Sequence, residues 1–324
     1  MNNLASHENK VFDVIGLGLA SLDILIRLSR MPSWEGCGSF SAFGLDGGGM
    51  AGTASVAAAR LGAKVGFVGT TGNDEMAALK QQSFTEAGVD LTHLVQRAEP
   101  ENQLVLVYVH EETGERAFSG MRQAAKVPLR SEEMDRAYIQ SARYLHLDGF
   151  HPQAALQDAQ WIHEAGGLVS LDGSKTNGGP LSAEMTTLVA HSDILICASG
   201  FGASLTGLQD PWAIGEAILA RGGPRIVVQT EGEQGSYTTT SEERFHTPAF
   251  AVDVLDTTGA GDVFHGAYLV GLLHGWDLRR AAQFASAVAA IKCTRLGGRR
   301  GIPTFAQTIE FLQTRGISFN ERGA

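Results

Sequence analysis

The hydrophobic positions of the chain fall into short runs that alternate with longer segments of mixed polarity. Short apolar runs bounded by polar residues or glycine are typical of buried strands, and the intervening segments have helical spacing. Strands alternating with helices predict βαβ units, and therefore a mostly parallel central sheet flanked by helices, with a ligand site at the carboxyl ends of the strands. The predicted strands are 11–17, 65–69, 144–147, 168–171, 194–197 and 226–229, and the predicted helices are 51–61, 74–86, 153–164, 181–190 and 212–220.

Two segments interrupt this alternation and predict a small separate β-structure. The runs 104–110 and 116–119 flank the turn-forming string EETG, which indicates a β-hairpin outside the parallel sheet. With 38–43 the hairpin could form a β-lid, for which we assign about 36–46 and 101–123. A lid would keep water from an activated phosphate, whereas the alternative is an ordinary surface hairpin. Because no repeat or long linker divides the chain, 1–324 is expected to be a single α/β domain carrying this insertion.

Composition and charge exclude several classes of protein. The chain of 324 residues is 44% apolar and 19% charged and contains 40 glycines, which favours a packed core with tight turns over disorder. The formal net charge of −10 and the absence of a basic block argue against nucleic-acid binding. The polar start MNNLASHENK and the lack of a bilayer-length apolar run predict a cytoplasmic protein without membrane contact. The three cysteines form no CxxC, which argues against a disulfide framework and a cysteine zinc site.

The string DTTGAGD at 256–262, followed by an apolar helix over 263–273, carries the strongest chemical signal. Small residues at a helix N-terminus leave backbone N–H groups and the positive end of the helix dipole free to hold the charge of a transferring phosphoryl group. Asp262 would lie in the first turn, where a carboxylate can accept the proton of an attacking hydroxyl. A lone aspartate there would merely complement the dipole, but the whole string favours a general base.

This string, extended to DTTGAGDVFHGAYL, resembles the C-terminal signature of the PfkB, or ribokinase-like, carbohydrate kinases. The N-terminal signature is similar to GGGMAGTAS at 47–55, which runs into VAAARLGA and VGFVGTTGND, so the resemblance spans nearly the whole chain. It implies a Rossmann-like central sheet with a β-lid, and an ATP-dependent transfer of the γ-phosphate to a hydroxyl of a sugar or nucleoside. ATP and Mg²⁺ are the cofactors that the resemblance implies.

The resemblance also assigns roles to individual residues. The anion hole is Gly259, Ala260 and Gly261, and the general base is Asp262. The substrate-binding residues are Asp23, Gly48, Gly49 and Thr53. The nucleotide-binding residues are Thr230, Gly232, Gly235, Thr258 and Gly261. Without the resemblance, Asp23 would be an ordinary turn residue, and the two glycines after strand 226–229 would need no ligand.

Metal binding is the least settled part of the pattern. The loop 292–301 corresponds to a loop that helps to bind a monovalent cation in several relatives. By that resemblance, backbone carbonyls near Asp256, Thr258 and Gly297 could hold K⁺ here. The family's NxxE motif for Mg²⁺ is replaced by ASGF at 198–201. Magnesium would then rest on the phosphates, water and another carboxylate, with Asp172, Glu231 and Asp256 as candidates. The three arginines Arg295, Arg299 and Arg300 are expected to be solvated, and His146, His151, His191 and His265 have no metal-ligand spacing.

The substrate and the oligomeric state are open at this stage. Thr53 stands where relatives carry asparagine, and its hydroxyl offers one hydrogen-bond donor where an amide offers two. The overall resemblance is nearest to the sulfofructose kinase and ketohexokinase-like branch, which implies a ketose phosphorylated at a primary hydroxyl. The alternatives are a nucleoside or 2-keto-3-deoxygluconate kinase, or a nucleotide- or sugar-binding regulator that lost magnesium chemistry along with NxxE. The apolar run LVLVYV predicts a homodimer formed through the lid.

Overall fold

The computed structural model describes residues 10–122, 128–174 and 179–319. The strands there are β1 Phe12–Leu17, β2 Ser21–Leu28, β3 Ala42–Gly48, β4 Val65–Thr71, β5 Leu94–Gln96, β6 Leu104–His110, β7 Arg116–Gly120, β8 Ala142–Leu147, β9 Leu168–Gly173, β10 Ile194–Ala198, β11 Ile226–Thr230, β12 Ser236–Thr239 and β13 Arg244–Thr247. The helices there are α1 Met50–Arg60, α2 Glu75–Thr85, α3 Arg136–Gln140, α4 Pro152–Glu164, α5 Ala183–Ala190, α6 Phe201–Thr206, α7 Pro211–Arg221, α8 Ala260–Leu273, α9 Leu278–Cys293 and α10 Phe305–Gln313.

A nine-stranded sheet forms the centre of the described chain, in the order β13-β12-β11-β10-β9-β8-β1-β4-β5. The strands from β11 to β5 run parallel to one another, and β12 and β13 add an antiparallel edge. This architecture confirms the predicted α/β class with its mostly parallel sheet flanked by helices. Each predicted strand and helix is present, with shifts of a few residues at the ends.

The sheet is covered on both faces, which explains why its strands are apolar at nearly every position. Neighbouring strand residues point to opposite faces. Leu195 accordingly packs in a core with helices α4, α5 and α7, whereas Ile196 packs in the other core with α1, α8 and α9. A strand covered on both sides cannot show the alternation of a half-exposed strand, so its sequence is a continuous apolar run.

Helices α1 and α8 approach each other closely, and this approach brings their N-termini together. Gly266 of α8 lies against α1, where an added Cβ would be 2.2 Å from the carbonyl oxygen of Ala54. Helix α1 is built largely from alanine, glycine and serine, so its buried face admits the neighbouring helix. The N-termini of both helices consequently face the carboxyl ends of the central strands.

A second, small sheet contains four strands in the order β3-β2-β6-β7 and is called the small sheet below. The predicted hairpin is present as the antiparallel pair β6 and β7. The prediction for the rest of this region was wrong in two respects. Strand β2 was not predicted, and the third strand is β3 at 42–48, since 36–41 forms no strand. Residue 123, the predicted end of the lid, lies outside the described residues.

The missed strand β2 is central to the small sheet, where it pairs antiparallel with β3 and parallel with β6. Asp23 and Arg27 interrupt its apolar pattern, which is why the sequence suggested a turn after β1. Asp23 is therefore a strand residue, buried to 5% exposure. Within the described residues, none of the helices combines the length and apolar character that a bilayer-spanning segment needs.

Candidate active site

A cleft of about 280 Å³ separates the small sheet from the carboxyl ends of the central strands. The N-termini of α1 and α8 form its floor, strands β9 and β10 end at its edge, and β2, β6 and β7 cover it. Its lining residues are Leu19, Ser21, Asp23, Gly48, Gly49, Met50, Thr53, Val105, Arg116, Phe118, Asp172, Ser174, Ala198, Thr258, Gly259, Gly261, Asp262, His265 and Gly298. Eight residues predicted for catalysis or binding are among them, namely Asp23, Gly48, Gly49, Thr53, Thr258, Gly259, Gly261 and Asp262.

The turn that leads into α8 has the geometry of an anion site. Gly259 is the N-cap of α8 with a φ of +73°, in the left-handed region that glycine adopts without strain, and no described side chain caps the helix. A Cβ added to Gly261 would meet nothing within 4 Å, so this position is open to the cleft. Ala260 differs from the prediction, because it is not among the lining residues and its N–H donates to the carbonyl oxygen of Thr257 at 3.2 Å.

Asp262 lies in the first turn of α8 and is partly exposed to the cleft. Desolvation raises the pKa of its carboxyl to about 7. The Arg116 guanidinium opposes this rise in pKa, while the carboxylates of Asp148 and Asp23 add to it. A carboxylate with a pKa near neutrality is suited to accept a proton from a hydroxyl group.

The opposite wall of the cleft presents Asp23 next to a pair of glycines. The Ser21 hydroxyl donates a hydrogen bond of 2.7 Å to the Asp23 carboxylate, and burial raises the pKa of that carboxyl to about 6. A Cβ on Gly48 would lie 2.3 Å from the same carboxylate. Gly49 has a φ of +87°, and a Cβ added there would lie 2.2 Å from the carbonyl oxygen of Leu19. Glycine is therefore required at 48 by the approach to Asp23, and at 49 by the positive φ and the approach to the Leu19 backbone.

Arg299 lies behind the same wall and donates a hydrogen bond to its backbone. The expectation that Arg299 is solvated was therefore wrong. Its guanidinium is 2% exposed and donates to the carbonyl oxygen of Gly48 at 2.6 Å, to the Ser83 hydroxyl at 2.6 Å and to the Thr53 hydroxyl at 3.3 Å. The Asp46 carboxylate accepts the Arg299 backbone N–H at 2.9 Å and places a negative charge near the guanidinium. The Thr53 side chain thus lines the cleft and also accepts a hydrogen bond from the buried Arg299 guanidinium.

Arg295 and Arg300, the other two arginines of this loop, are exposed, as expected. Arg300 also donates a hydrogen bond to the carbonyl oxygen of Leu45 at 2.6 Å.

Asp256 and Lys292 are both buried behind the turn 257–259 that leads into α8, called the anion turn below. The Asp256 carboxylate accepts the backbone N–H groups of Thr258 and Gly297, each at 2.8 Å, and so connects the two loops that were predicted to hold a monovalent cation. The Lys292 ammonium is 0% exposed and donates to the carbonyl oxygen of Asp256 at 2.9 Å. A positive charge of this chain therefore already contacts one of the predicted carbonyl groups.

The predicted nucleotide turn lies outside the residues that line the cleft. Thr230 ends β11, and Gly232 and Gly235 follow it with φ values of +57° and +92°. A Cβ on Gly235 would lie 2.1 Å from the carbonyl oxygen of Thr247, so the turn itself requires this glycine. The adjacent Glu231 carboxylate accepts a 2.6 Å hydrogen bond from Ser199, which lies in the segment where the NxxE motif was expected.

Two charged residues at the site were not predicted from the sequence. Arg116 of β7 lines the cleft and donates a hydrogen bond to the Thr257 hydroxyl, which connects the small sheet to the anion turn. Asp148 is buried below the cleft, where its carboxylate accepts the backbone N–H groups of Leu19 at 2.8 Å and Ala51 at 3.1 Å. Nothing in the sequence distinguishes Arg116 from other surface arginines, whereas an aspartate directly after strand β8 is a signal that could have identified Asp148.

Comparison with known proteins agrees with this geometry. Residues 18–305 match the model of the pfkB family carbohydrate kinases. The chain is 29% identical to an ATP-dependent ribose-1-phosphate kinase of Halopiger xanaduensis, over 93% of this chain and 98% of that protein. It is 29% identical to a 5-dehydro-2-deoxygluconokinase of Shouchella clausii, over 93% and 95% of the two chains.

Among solved structures, a putative ribokinase from Agrobacterium tumefaciens has a TM-score of 0.82 at 24% identity, covering 95% of this chain and 99% of that one. A putative Ribokinase II from E. coli in complex with ATP and Mg²⁺ has a TM-score of 0.80 at 22% identity, covering 94% and 100%. Both share the fold. The chain belongs to the pfkB family of carbohydrate kinases, and its enzyme class is that of a sugar phosphotransferase. The predicted family and fold are confirmed, and the sulfofructose kinase branch stays a prediction.

Proposed function

We propose that the protein transfers the γ-phosphate of ATP to a hydroxyl group of a sugar, with Asp262 as the general base and the backbone of Gly259 and Gly261, at the N-terminus of α8, as the anion hole. One observation carries the proposal. Asp262 and the open N-terminus of α8 face the same cleft as Asp23 on the opposite wall. A sugar held by Asp23 can therefore direct another hydroxyl toward Asp262.

The chemistry follows from these positions. The Asp23 carboxylate accepts hydrogen bonds from sugar hydroxyls, while the glycine pair lets the substrate approach the backbone. The acceptor oxygen forms a bond to the γ-phosphorus, the bond from that phosphorus to the β–γ bridging oxygen breaks, and ADP leaves. The proton of the acceptor hydroxyl moves to the Asp262 carboxylate, and the N-terminus of α8 stabilises the negative charge on the transferred group.

ATP and Mg²⁺ are the proposed cosubstrate and cofactor, the same pair that the E. coli Ribokinase II structure holds. The open space at Gly261 and the uncapped first turn of α8 fit a phosphate group. Thr230, Gly232 and Gly235 are proposed to contact the nucleotide from the β11–β12 turn, outside the cleft itself.

For magnesium, Glu231 fits better than Asp256, because both carboxylate oxygens of Asp256 already accept backbone N–H groups. The third candidate, Asp172, lies beside His146 and His265, whose nitrogen donors suit Mg²⁺ poorly. When bound, the ion neutralises charge on the phosphates. A monovalent cation near Asp256, Thr258 and Gly297 stays a prediction. The contact of the Lys292 ammonium with the Asp256 carbonyl suggests that such an ion has a small effect here.

For the acceptor we propose a ketose or a related sugar derivative that is phosphorylated at a primary hydroxyl. A second candidate, an acidic sugar such as 2-keto-3-deoxygluconate, is favoured by Arg116, whose guanidinium lines the cleft and can pair with a carboxylate or phosphate. A relative from Bacillus subtilis, 28% identical over 82% of this chain and 86% of that protein, is named 2-dehydro-3-deoxygluconokinase. A nucleoside acceptor is the remaining alternative within the family.

We propose that the chain is a single α/β domain, in which the small sheet is a lid over the cleft and also the surface through which two chains form a dimer. Phe43 of β3 is 58% exposed, and Phe40 just before β3 is 60% exposed. A second copy of the chain would cover these side chains. Light scattering after size exclusion is expected to give a dimer for the native chain and a monomer for Phe43→Ser, and a native monomer at micromolar concentration would contradict the proposal.

An acceptor panel tests the function. The purified protein is incubated with ATP and Mg²⁺ against ketoses, aldoses, sulfosugars, sugar acids and nucleosides, and ADP release is measured against a control without acceptor. We expect ADP release to depend on one class of sugar. Bound ATP without acceptor-dependent ADP would contradict the kinase and favour a nucleotide- or sugar-binding regulator.

A further inference from the structure

Three buried side chains from separate elements meet beneath the cleft. His146 lies on β8, Asp172 lies near the carboxyl end of β9, and His265 lies on α8, and one potential ligand atom of each falls within 4.8 Å of the other two. The residues are 1%, 4% and 2% exposed, respectively. Because they come from distant segments, no spacing in the sequence could indicate the cluster.

Each of the three side chains has one buried polar atom that lacks a hydrogen-bond partner in the described part of the chain. Nε2 of His146, Oδ2 of Asp172 and Nδ1 of His265 are all buried and unpaired within the described part of the chain. The distance of 3.5 Å between Nδ1 of His265 and Oδ2 of Asp172 is too long for a good hydrogen bond. A buried polar atom without a partner is unfavourable, so three of them in one place indicate a bound species that the protein atoms alone do not supply.

We infer that His146, Asp172 and His265 form a binding site for a divalent transition-metal ion such as Zn²⁺. Two imidazole nitrogens and one carboxylate oxygen are the donors that Zn²⁺ and Co²⁺ accept, whereas Mg²⁺ prefers oxygen donors alone. The second ring nitrogen of His146 lies 3.2 Å from the Ser170 hydroxyl, a contact that can orient the ring with its other nitrogen toward the ion.

The site has a buried side and a side open to the cleft. Asp172 and His265 line the cleft, and His146 lies behind them. Three protein ligands and one accessible position are the arrangement of a metal site that can also bind a small molecule or water. Since His265 is one helical turn beyond Asp262, a bound ion would place positive charge close to the proposed general base; this effect rests on the proposed function, whereas metal binding itself does not.

Metal binding is tested on the full chain without ATP or sugar, so that the result is independent of kinase activity. The protein is freed of metal with a chelator and titrated with Co²⁺, whose weak visible absorption in water becomes stronger when protein ligands make it four-coordinate. Zinc bound after dialysis is counted by elemental analysis. We expect one ion per chain, and a loss of affinity of at least about tenfold in His265→Gln and in His146→Gln.

Two further variants distinguish a specific site from other causes. His163→Gln serves as the matched control, because His163 lies on α4 and pairs with Asp193 outside the cluster, and its metal affinity should equal that of the native chain. Ser170→Ala keeps all three ligands and should weaken binding while it leaves the stoichiometry at one, which gives a readout even where a histidine variant folds poorly. Absence of stoichiometric binding, or equal affinity in the native chain and both cluster variants, would overturn the inference and leave ordered water as the species between the three side chains.

Discussion

Replacing Arg116 by methionine is expected to move the acid limb of the pH profile of kcat/KM to higher pH. The proposed base must be ionised to act, and the pKa of Asp262 is about 7. At pH 6 roughly a tenth of a carboxyl with that pKa is ionised, so kcat/KM should fall about tenfold for each pH unit below 7. The Arg116 guanidinium is the strongest of the influences that hold this pKa down.

The size of the shift follows from the position of Arg116. An opposite charge within about 4–6 Å lowers the pKa of a carboxyl by roughly 1–3 units, and solvent weakens the effect of an exposed charge. Because the whole of β7 is exposed, we expect the lower end of this range. In Arg116→Met the midpoint of the acid limb should therefore rise by about one pH unit, and the activity at pH 8.5 should suffer less than the activity at pH 6.5.

The assay measures initial rates at low sugar concentration from about pH 5 to about pH 9, roughly two units on either side of the expected midpoint. Arg30→Met is the control, because Arg30 is an exposed arginine outside the residues that line the cleft. A native acid limb near the ordinary pKa of an aspartate would refute the raised pKa of Asp262. A midpoint in Arg116→Met that stays in place or falls, or an equal shift in Arg30→Met, would refute the electrostatic role of Arg116.

Three further predictions concern the surroundings of the site. Gly48→Ala places a Cβ 2.3 Å from the Asp23 carboxylate, so steady-state kinetics should show a sugar KM raised about tenfold or more with the ATP KM nearly unchanged; equal changes in both would contradict a sugar-side position. Arg299→Met removes a buried cation that donates three hydrogen bonds, and it should lower the free energy of unfolding by about 3 kcal/mol in a urea titration. The exposed Arg300→Met should cost at most about 0.5 kcal/mol, and similar losses in the two variants would contradict the burial argument. The native enzyme should respond little to replacement of K⁺ by Na⁺, and Lys292→Met should gain activity when K⁺ or ammonium is added; strong K⁺ dependence of the native enzyme would contradict the role of Lys292.

The sequence predicted six of the nine strands of the central sheet, because the physical cause of those six is local, whereas the strands β5, β12 and β13 were not predicted. A strand covered by helices on both faces is apolar along its whole length, so each of the six strands could be identified from its own apolar segment of the sequence. The small sheet was harder to predict, because β2 contains Asp23 and Arg27. The stability of strand β2 comes from its pairing with β6, a segment far away in the chain. The assigned range 36–46 failed at its start for the same reason, since only pairing with β2 defines where β3 begins.

The string DTTGAGD was recognisable because Gly259, Ala260, Gly261 and Asp262 are consecutive and lie at one helix N-terminus. The buried charged residues could not be predicted in this way, because a charged side chain is buried only where residues from distant segments form hydrogen bonds or ion pairs with it. Arg299 depends on Asp46 and on the carbonyl of Gly48, and Lys292 depends on the carbonyl of Asp256. A string such as RLGGRRG therefore suggested solvated arginines although one of them is enclosed.

The measurement that tests the central claim most directly is transfer of labelled γ-phosphate from ATP to the sugar found in the acceptor panel, compared between the native chain and Asp262→Asn. The asparagine keeps the size of the side chain but cannot accept the proton. The account predicts a rate lower by about 10²–10⁴-fold, with ATP and sugar affinities measured by calorimetry close to those of the native chain. Transfer at the native rate in Asp262→Asn would contradict the assignment of Asp262 as the general base.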